Sequence, residues 1–234
     1  LSAAAIGLLG MGRKVLVLDL DNTLWGGIIG DDGLENLELG PETPEGEAYF
    51  EFQKYLMLLR QRSIILAVCS KNQEKTARLP FQSHPSMVIK ESDIACFIAN
   101  FNDKPKNIQL IAESLNVSLE ALVFVDDNPV ERALVRRELP QVLTVEMPEN
   151  PALFASVVEN CRAFPLSCLT ETDLQRADSY TARAVTAEAM VKSPDIEGFL
   201  ASMQAKAIFE RPGPGSRDRI LQLVAKTNQF KLNK

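Results

Sequence analysis

None of the four cysteines, Cys69, Cys96, Cys161 and Cys168, stands in a C-x-x-C pair, so the chain lacks the ligand spacing of a structural zinc site. With 234 residues, 46% of them apolar, it can bury a sizeable core without disulfides, and the cysteines read as reduced thiols of a cytoplasmic protein. An excess of positive charge is also missing. Lys and Arg number 25 against 31 Asp and Glu, a net charge of −6. That balance excludes broad nucleic-acid binding, which needs clustered cations, yet it leaves room for a local positive pocket that takes a phosphate ester. No apolar run is long enough to span a bilayer. The N-terminal stretch "AAAIGLLGMG" is short and has no basic flank before it, so it reads as neither a membrane span nor a secretory signal. Internal repeats and low-complexity tracts are absent. The first residue is Leu1 and the last stretch is "TNQFKLNK", which reads as a piece of a longer polypeptide.

Continuous apolar runs of strand length are present. "VLVLDL", "SIILAVCS" (Ser63 to Ser70) and "ALVFVDD" (Ala121 to Asp127) read as strands buried on both faces, and "QVLTVEM" (Gln141 to Met147) as a weaker fourth. Helical patterns lie between them. "TPEGEAYFEFQKYLMLLRQR" opens with Thr43 as N-cap and Pro44 at the first helical position. "KPKNIQLIAESLNV" and "NPVERALVRREL" also carry a proline near a helix start. Alternation of this kind predicts a parallel α/β sheet with right-handed crossovers. The glycine-rich stretch "WGGIIGDDGLENLELG" reads as a hairpin-like flap after the first strand.

Ligands of parallel sheets bind beyond the carboxyl ends of the strands. Three strands end in polar clusters, "DLDNT", "CSKN" and "DDNP", so the three are expected to meet in one crevice. Two carboxylates as close as Asp19 and Asp21 can form a metal site, an acid–base pair, or a nucleophile with its acid. Asp126 and Asp127 would complete the coordination of a hard dication such as Mg²⁺. Clustered like charges with no cation destabilise a fold, which makes a metal the expectation. Lys71 and Lys104 are candidate cations for a phosphate, and Ser70 can donate a hydrogen bond to a phosphoryl oxygen.

The order "DLDNT", "CSKN", "DKP", "DDNP" resembles the four motifs of the haloacid dehalogenase superfamily. The resemblance implies a Rossmannoid parallel sheet with helices on both faces and a small flap after the first strand. It also implies Asp19 as the phosphate-facing nucleophile and Asp21 as general acid–base, with its main-chain carbonyl on the metal. Ser70 would bind phosphate, Lys104 would balance charge, and Asp127, with Asp126 as alternative, would ligate Mg²⁺ beside Asp19.

A narrower similarity spans nearly the whole chain. "LDLDNTLWGG", "FQKYLMLLRQRSIILAVCSKN", "FNDKPKNI", "LVFVDDNPVERALVRRELP" and "KTNQFKLN" resemble the FkbH-like glyceryl transferase/phosphatase domains of polyketide assembly lines. That implies dephosphorylation of 1,3-bisphosphoglycerate, or of a related phosphorylated three-carbon acid. A cysteine thioester would follow, then transfer to the phosphopantetheine thiol of an acyl carrier protein. Cys69 is the cysteine placed for this role, at a strand end opposite the aspartates. Inert core filler is the competing reading. Because side chains alternate along a strand, Cys69 and Ser70 can share the crevice only if the strand end turns. Cys96, Cys161 and Cys168 read as packing residues.

Asn72 and Arg132 can contact substrate oxygens or support the loops, support ranking first for Arg132. Trp25 can close over the substrate or anchor the flap, and His84 reads as a loop residue before Pro85. The chain divides into a catalytic domain over 1–165 and a helical extension over 166–234, which the resemblance implies leads into the truncated start of an acetyltransferase-like region, a partial C-terminal α/β extension. A plain Mg²⁺-dependent phosphomonoesterase with a structural Cys69, and a catalytically silent docking module, are the alternatives.

Overall fold

The computed structural model describes residues 12–164 and Gly213. The extension over 166–234, including Cys168, therefore lies outside the described residues apart from that one glycine. Five parallel strands make one sheet: β1 (Val15–Leu18), β2 (Ile65–Ser70), β3 (Ile94–Ala99), β4 (Leu122–Val125) and β5 (Leu143–Thr144), in the order β3-β2-β1-β4-β5. Among the described residues six α-helices accompany it: α1 (Ile29–Asp32), α2 (Pro44–Gln61), α3 (Glu74–Ser83), α4 (Lys104–Leu115), α5 (Pro129–Glu138) and α6 (Phe154–Asn160).

Alternation along the strands divides the core in two. Leu16 and Leu18 of β1, Leu66 and Val68 of β2, and Val123 and Val125 of β4 face one side. There they meet Phe52, Leu56 and Leu59 of α2, Phe81 of α3 and Phe154 of α6. Val15, Val17, Ile65, Ala67, Cys69 and Phe124 face the other side, against Ile108 and Ile111 of α4 and Val135 of α5. Burial on both faces is why these strands read as unbroken apolar runs. This is the α/β Rossmann-like sheet with helices on both faces that the strand–helix alternation predicts.

The helix starts follow their capping chemistry. The Thr43 hydroxyl accepts from the Gly46 amide at 3.0 Å ahead of Pro44, and the Asn128 side chain accepts from the Val130 amide at 2.9 Å ahead of Pro129. Outside the flap, three elements were not foreseen: β3, α3 and α6. β3, "IACFIA", is an edge strand with half-buried residues in its middle, so it lacks the unbroken apolar signature. α3 carries Pro80 inside it, a residue that argues against a helix interior. β5 is only two residues long.

The flap also differs from a hairpin. Its base is closed by one antiparallel bridge, with Gly26 N–H donating to the Glu38 carbonyl at 3.0 Å and Glu38 N–H returning to Gly26 at 2.9 Å. Between these ends the chain makes α1 and a further helical turn over Leu34–Asn36 instead of strands. A side chain at Gly26 would lie 2.9 Å from both the Glu38 Cβ and the Tyr49 ring, so the bridge needs glycine there.

Candidate active site at the strand ends

β1, β2 and β4 run in step, with Leu18 opposite both Val68 and Val125. Their following residues therefore emerge at one level. The Asp19 amide donates to the Val125 carbonyl at 3.0 Å, which ties the loops after β1 and β4 together. Carboxylate oxygens of Asp19, Asp126 and Asp127 all lie within 4.8 Å of one another.

Lys104, at the first position of α4, is 2% exposed and reaches into this cluster. Its ammonium lies 2.8 Å from Asp19 Oδ2 and 2.5 Å from Asp126 Oδ2. Burial alone would lower the Lys104 pKa, but the two carboxylates outweigh it and hold the ammonium above its ordinary value. Burial and the neighbouring Asp19 charge push the Asp126 pKa up to about 7 and raise that of Asp127. Three carboxylates thus face one ammonium, an excess of negative charge that a dication would neutralise.

The donor set fits a hard, oxygen-seeking cation. Asp19 Oδ1 is buried and has no hydrogen-bond partner among the described residues. Asp126 is more committed, since Oδ1 accepts from the Asn128 amide at 2.8 Å and Oδ2 holds Lys104. The Asp127 amide is fixed by the Thr23 hydroxyl oxygen at 3.2 Å. Thr23 was missed from sequence, although its place two residues after Asp21 in "DLDNT" is a usable signal.

Asp21 belongs to the flap. Oδ1 accepts from the Trp25 indole N–H at 3.0 Å and from the Ile29 amide at 3.0 Å, and Oδ2 from the Asn72 amide group at 2.6 Å. Burial raises the Asp21 pKa, and these three donors partly offset it. Its carboxylate stands apart from the acidic trio, and the metal contact expected of Asp21 concerns its main-chain carbonyl. Asn22, next in the chain, adopts a left-handed φ of 52°. Its side chain accepts from the Gly27 amide at 2.9 Å, so a turn strained by about 1–3 kcal/mol sits between Asp21 and the flap.

Of the two readings of Trp25, closing over a substrate or anchoring the flap, the contacts it makes belong to the second. Trp25 is fully buried, edge-on to Phe81 with ring centroids 5.9 Å apart, and its N–H is spent on Asp21. Ser70 and Asn72 lie beside Asp21, with the Asn72 amide 3.3 Å from Ser70 Oγ. Lys71 stays at the rim, its side chain 37% exposed and paired with Glu131 at 2.6 Å. Glu131 was not singled out from sequence, and nothing in its helical spacing marks it. The His84 ring accepts from the Ser86 amide at 3.3 Å, a loop role, and burial lowers its pKa.

Cys69 departs most from expectation. β2 stays regular through Ser70, with Cys69 opposite Ile98 and Ser70 opposite Ala99. Alternation then sends Ser70 to the flap side and Cys69 beneath α4. The sulfur is fully buried, 3.9 Å from the Lys104 carbonyl. Burial pushes the thiol pKa up to about 12, with Lys104 only partly opposing. In this arrangement the sulfur is covered and its burial favours the thiol over the thiolate that a nucleophile needs.

On the β5 side, a cavity of about 570 Å³ opens next to Asp127, lined by Asn22, Tyr49, Arg132, Met147 and Phe154 among others. Burial and the Asp127 charge push the Tyr49 pKa up to about 12, so its hydroxyl stays neutral there. Among the described residues no helix is long and apolar enough to cross a membrane.

No family model matches the chain, and no curated protein matches it. Among solved structures it is similar to the N-terminal part of the Bacteroides fragilis protein BF1531, described as containing a phosphatase domain complexed with Mg. The two are 44% identical with a TM-score of 0.68, over 69% of this chain and 43% of that one. The match thus spans less than half of that protein's chain, and the likeness shows a shared α/β fold.

Proposed function

We propose that this chain is a Mg²⁺-dependent phosphohydrolase of the haloacid dehalogenase type. The observation that carries the reading is Asp19, whose Oδ2 is clamped by Lys104 while Oδ1 is buried and unpartnered among three converging carboxylates. The Mg complex of the similar phosphatase domain supports it. Asp19, Asp127 and Asp126, with the Asp21 carbonyl, would hold the cation, which supplies charge neutralisation for a transferring phosphoryl group.

The chain's own residues supply the rest. Asp19 Oδ1 attacks phosphorus, and the bond from phosphorus to the leaving oxygen breaks. Asp21, held by three donors, delivers a proton to that oxygen. Water then attacks the aspartyl phosphate, Asp21 takes its proton, and inorganic phosphate leaves. Lys104 keeps Asp19 oriented and offsets its charge. Release of phosphate from p-nitrophenyl phosphate, dependent on Mg²⁺ and lost in Asp19→Asn, is the test. Equal release by Asp19→Asn removes Asp19 from the phosphate-facing role.

A second reading, which rests on the motif resemblance, adds acyl transfer at Cys69, whose sulfur lies behind the first turn of α4, 3.9 Å from the Lys104 carbonyl. The Cys69 thiolate would attack the acyl-phosphate carbonyl of 1,3-bisphosphoglycerate, expelling the C1 phosphate and forming a 3-phosphoglyceryl thioester, whose remaining phosphate ester the Asp19 chemistry would hydrolyse to leave the glyceryl thioester. The phosphopantetheine thiol of a carrier protein would then displace Cys69. This route requires the thiol to be uncovered and deprotonated, against the burial that now raises its pKa. Mass spectrometry after incubation with the acyl phosphate decides it. A glyceryl-sized adduct absent from Cys69→Ala supports transfer, and phosphate release with no adduct leaves hydrolysis alone.

A further inference from the structure

Arg132 is a buried cation that the proposed chemistry does not use. It lies in the first turns of α5 and is 4% exposed. Side chains on a helix lean toward its N-terminus, and that is the direction Arg132 takes. One terminal nitrogen, Nη1, donates to the main-chain carbonyls of both Asp126 and Asp127, at 2.9 and 2.6 Å. The other, Nη2, donates to Glu146 Oε1 at 2.7 Å. Glu146 follows β5 and is held again by Arg136 at 2.7 Å. These two arginines lower the Glu146 pKa, so the tether stays ionised.

We propose that Arg132 is a positioning residue for the metal-binding loop. It sets the carboxylates of Asp126 and Asp127 by fixing the peptide units that carry them. The inference rests on the reading that these carboxylates hold a metal. Successive residues leaving a strand point in different directions, so two neighbouring aspartates can serve one cluster only if the backbone between them is pinned. Three contacts pin it from the amide side and at the start of α5: the Thr23 hydroxyl on the Asp127 amide, Asp126 Oδ1 on the Asn128 amide, and the Asn128 cap on Val130. Arg132 pins it from the carbonyl side. Buried carbonyls need donors, and a planar guanidinium can serve two carbonyls and a carboxylate at once. A lysine ammonium, a point charge on a flexible stem, cannot reproduce that fork. Glu146 extends the clamp to the residue run after β5.

Groups that orient metal ligands typically change metal affinity by 10–100-fold when removed, and Arg132→Lys is expected in that range. The 234-residue wild-type chain, Arg132→Lys, Arg132→Met and Glu146→Gln are compared. Amide hydrogen exchange at Asp127 and Asn128 is measured without metal, Mg²⁺ affinity by titration calorimetry with the metal alone, and kcat and KM with p-nitrophenyl phosphate. In Arg132→Lys the two amides exchange faster, the Mg²⁺ dissociation constant rises about tenfold or more, and kcat falls at saturating substrate while KM holds. Glu146→Gln alters an exposed side chain and is expected to retain the fold. It shows the same changes at about threefold, and it decides the matter if both Arg132 variants fail to fold. Unchanged loop exchange and Mg²⁺ affinity in a folded variant overturn the proposal, as does a tenfold rise in KM with Mg²⁺ affinity intact, which would make Arg132 a substrate contact. If wild type neither binds Mg²⁺ nor releases phosphate, the hydrolase reading fails by itself, and the exchange rates still report whether the clamp exists.

Discussion

Lys104 Nζ lies 2.8 Å from Asp19 Oδ2, while Asp19 Oδ1, on the same carboxylate, is buried with no partner among the described residues. One oxygen is immobilised and charge-balanced, and the other is left for chemistry. That asymmetry underlies the first expectations.

Asp19→Asn keeps the shape of the side chain and removes the attacking oxyanion. Phosphate release is expected to fall on the order of 10³-fold or more, with the circular dichroism spectrum unchanged. A folded Asp19→Asn protein that retains even a tenth of the wild-type rate contradicts the role.

Lys104→Met preserves the stem and removes the charge. Asp19 and Asp126 then face each other with no cation at 2.8 and 2.5 Å. Breaking a buried ion pair by deleting one partner costs about 3–5 kcal/mol, and urea denaturation of the metal-free protein should show a loss of that size. Added Mg²⁺ should recover part of it. A loss below about 1 kcal/mol would mean the pair behaves like a surface contact.

The carboxylates of Asp21, Asp126 and Asp127 all titrate above their ordinary range, chiefly because of burial. Groups raised in this way bind more protons in the folded chain than in the unfolded one. Stability of the metal-free protein therefore falls as pH rises from the ordinary carboxylate range through the raised folded values. A bound dication relieves the ionised cluster and must compete with protons below those values. The rise in melting temperature produced by Mg²⁺ is thus expected to be small near pH 5 and to grow toward pH 8. A shift independent of pH would place Mg²⁺ elsewhere.

Trp25→Phe keeps an aromatic ring against Phe81 and removes one of the three donors on Asp21. The expected result is a drop in kcat of roughly 10–100-fold with KM nearly unchanged and a stability loss of about 1 kcal/mol. An unaltered kcat would show that the Ile29 and Asn72 contacts hold Asp21 without help.

Cys69 is covered and its thiol pKa is pushed up to about 12. Native protein treated with iodoacetamide at pH 8 should leave Cys69 unmodified by peptide mapping, while denatured protein is alkylated there. Rapid native alkylation at Cys69 would reveal an open state and strengthen the transfer reading.

The central strands were legible because a strand covered on both faces is apolar along its length, as Val15–Leu18, Leu122–Val125 and Ile65–Ser70 up to its final serine are. α2, α4 and α5 were legible from a proline at their starts, since proline lacks the amide that a first helical turn leaves unpaired. β3 escaped because an edge strand buries less and so selects less for apolar residues. The flap was misread as strands because glycines and short apolar segments mark a turn without saying what lies between its ends.

Local pattern could place Asp19, Lys104, Asp126 and Asp127 at strand and helix ends, because those ends are set by caps, prolines and apolar runs within a few residues. It could not assign what each side chain touches. That Trp25 serves Asp21, that Arg132 grips two carbonyls, and that Ser70 takes the flap side while Cys69 goes under α4 all depend on strand register and on helices packed from distant parts of the chain. A shift of one residue in β2 would exchange Ser70 and Cys69 between the two faces, and only the pairing of β2 with β1 and β3 fixes which of them faces the flap.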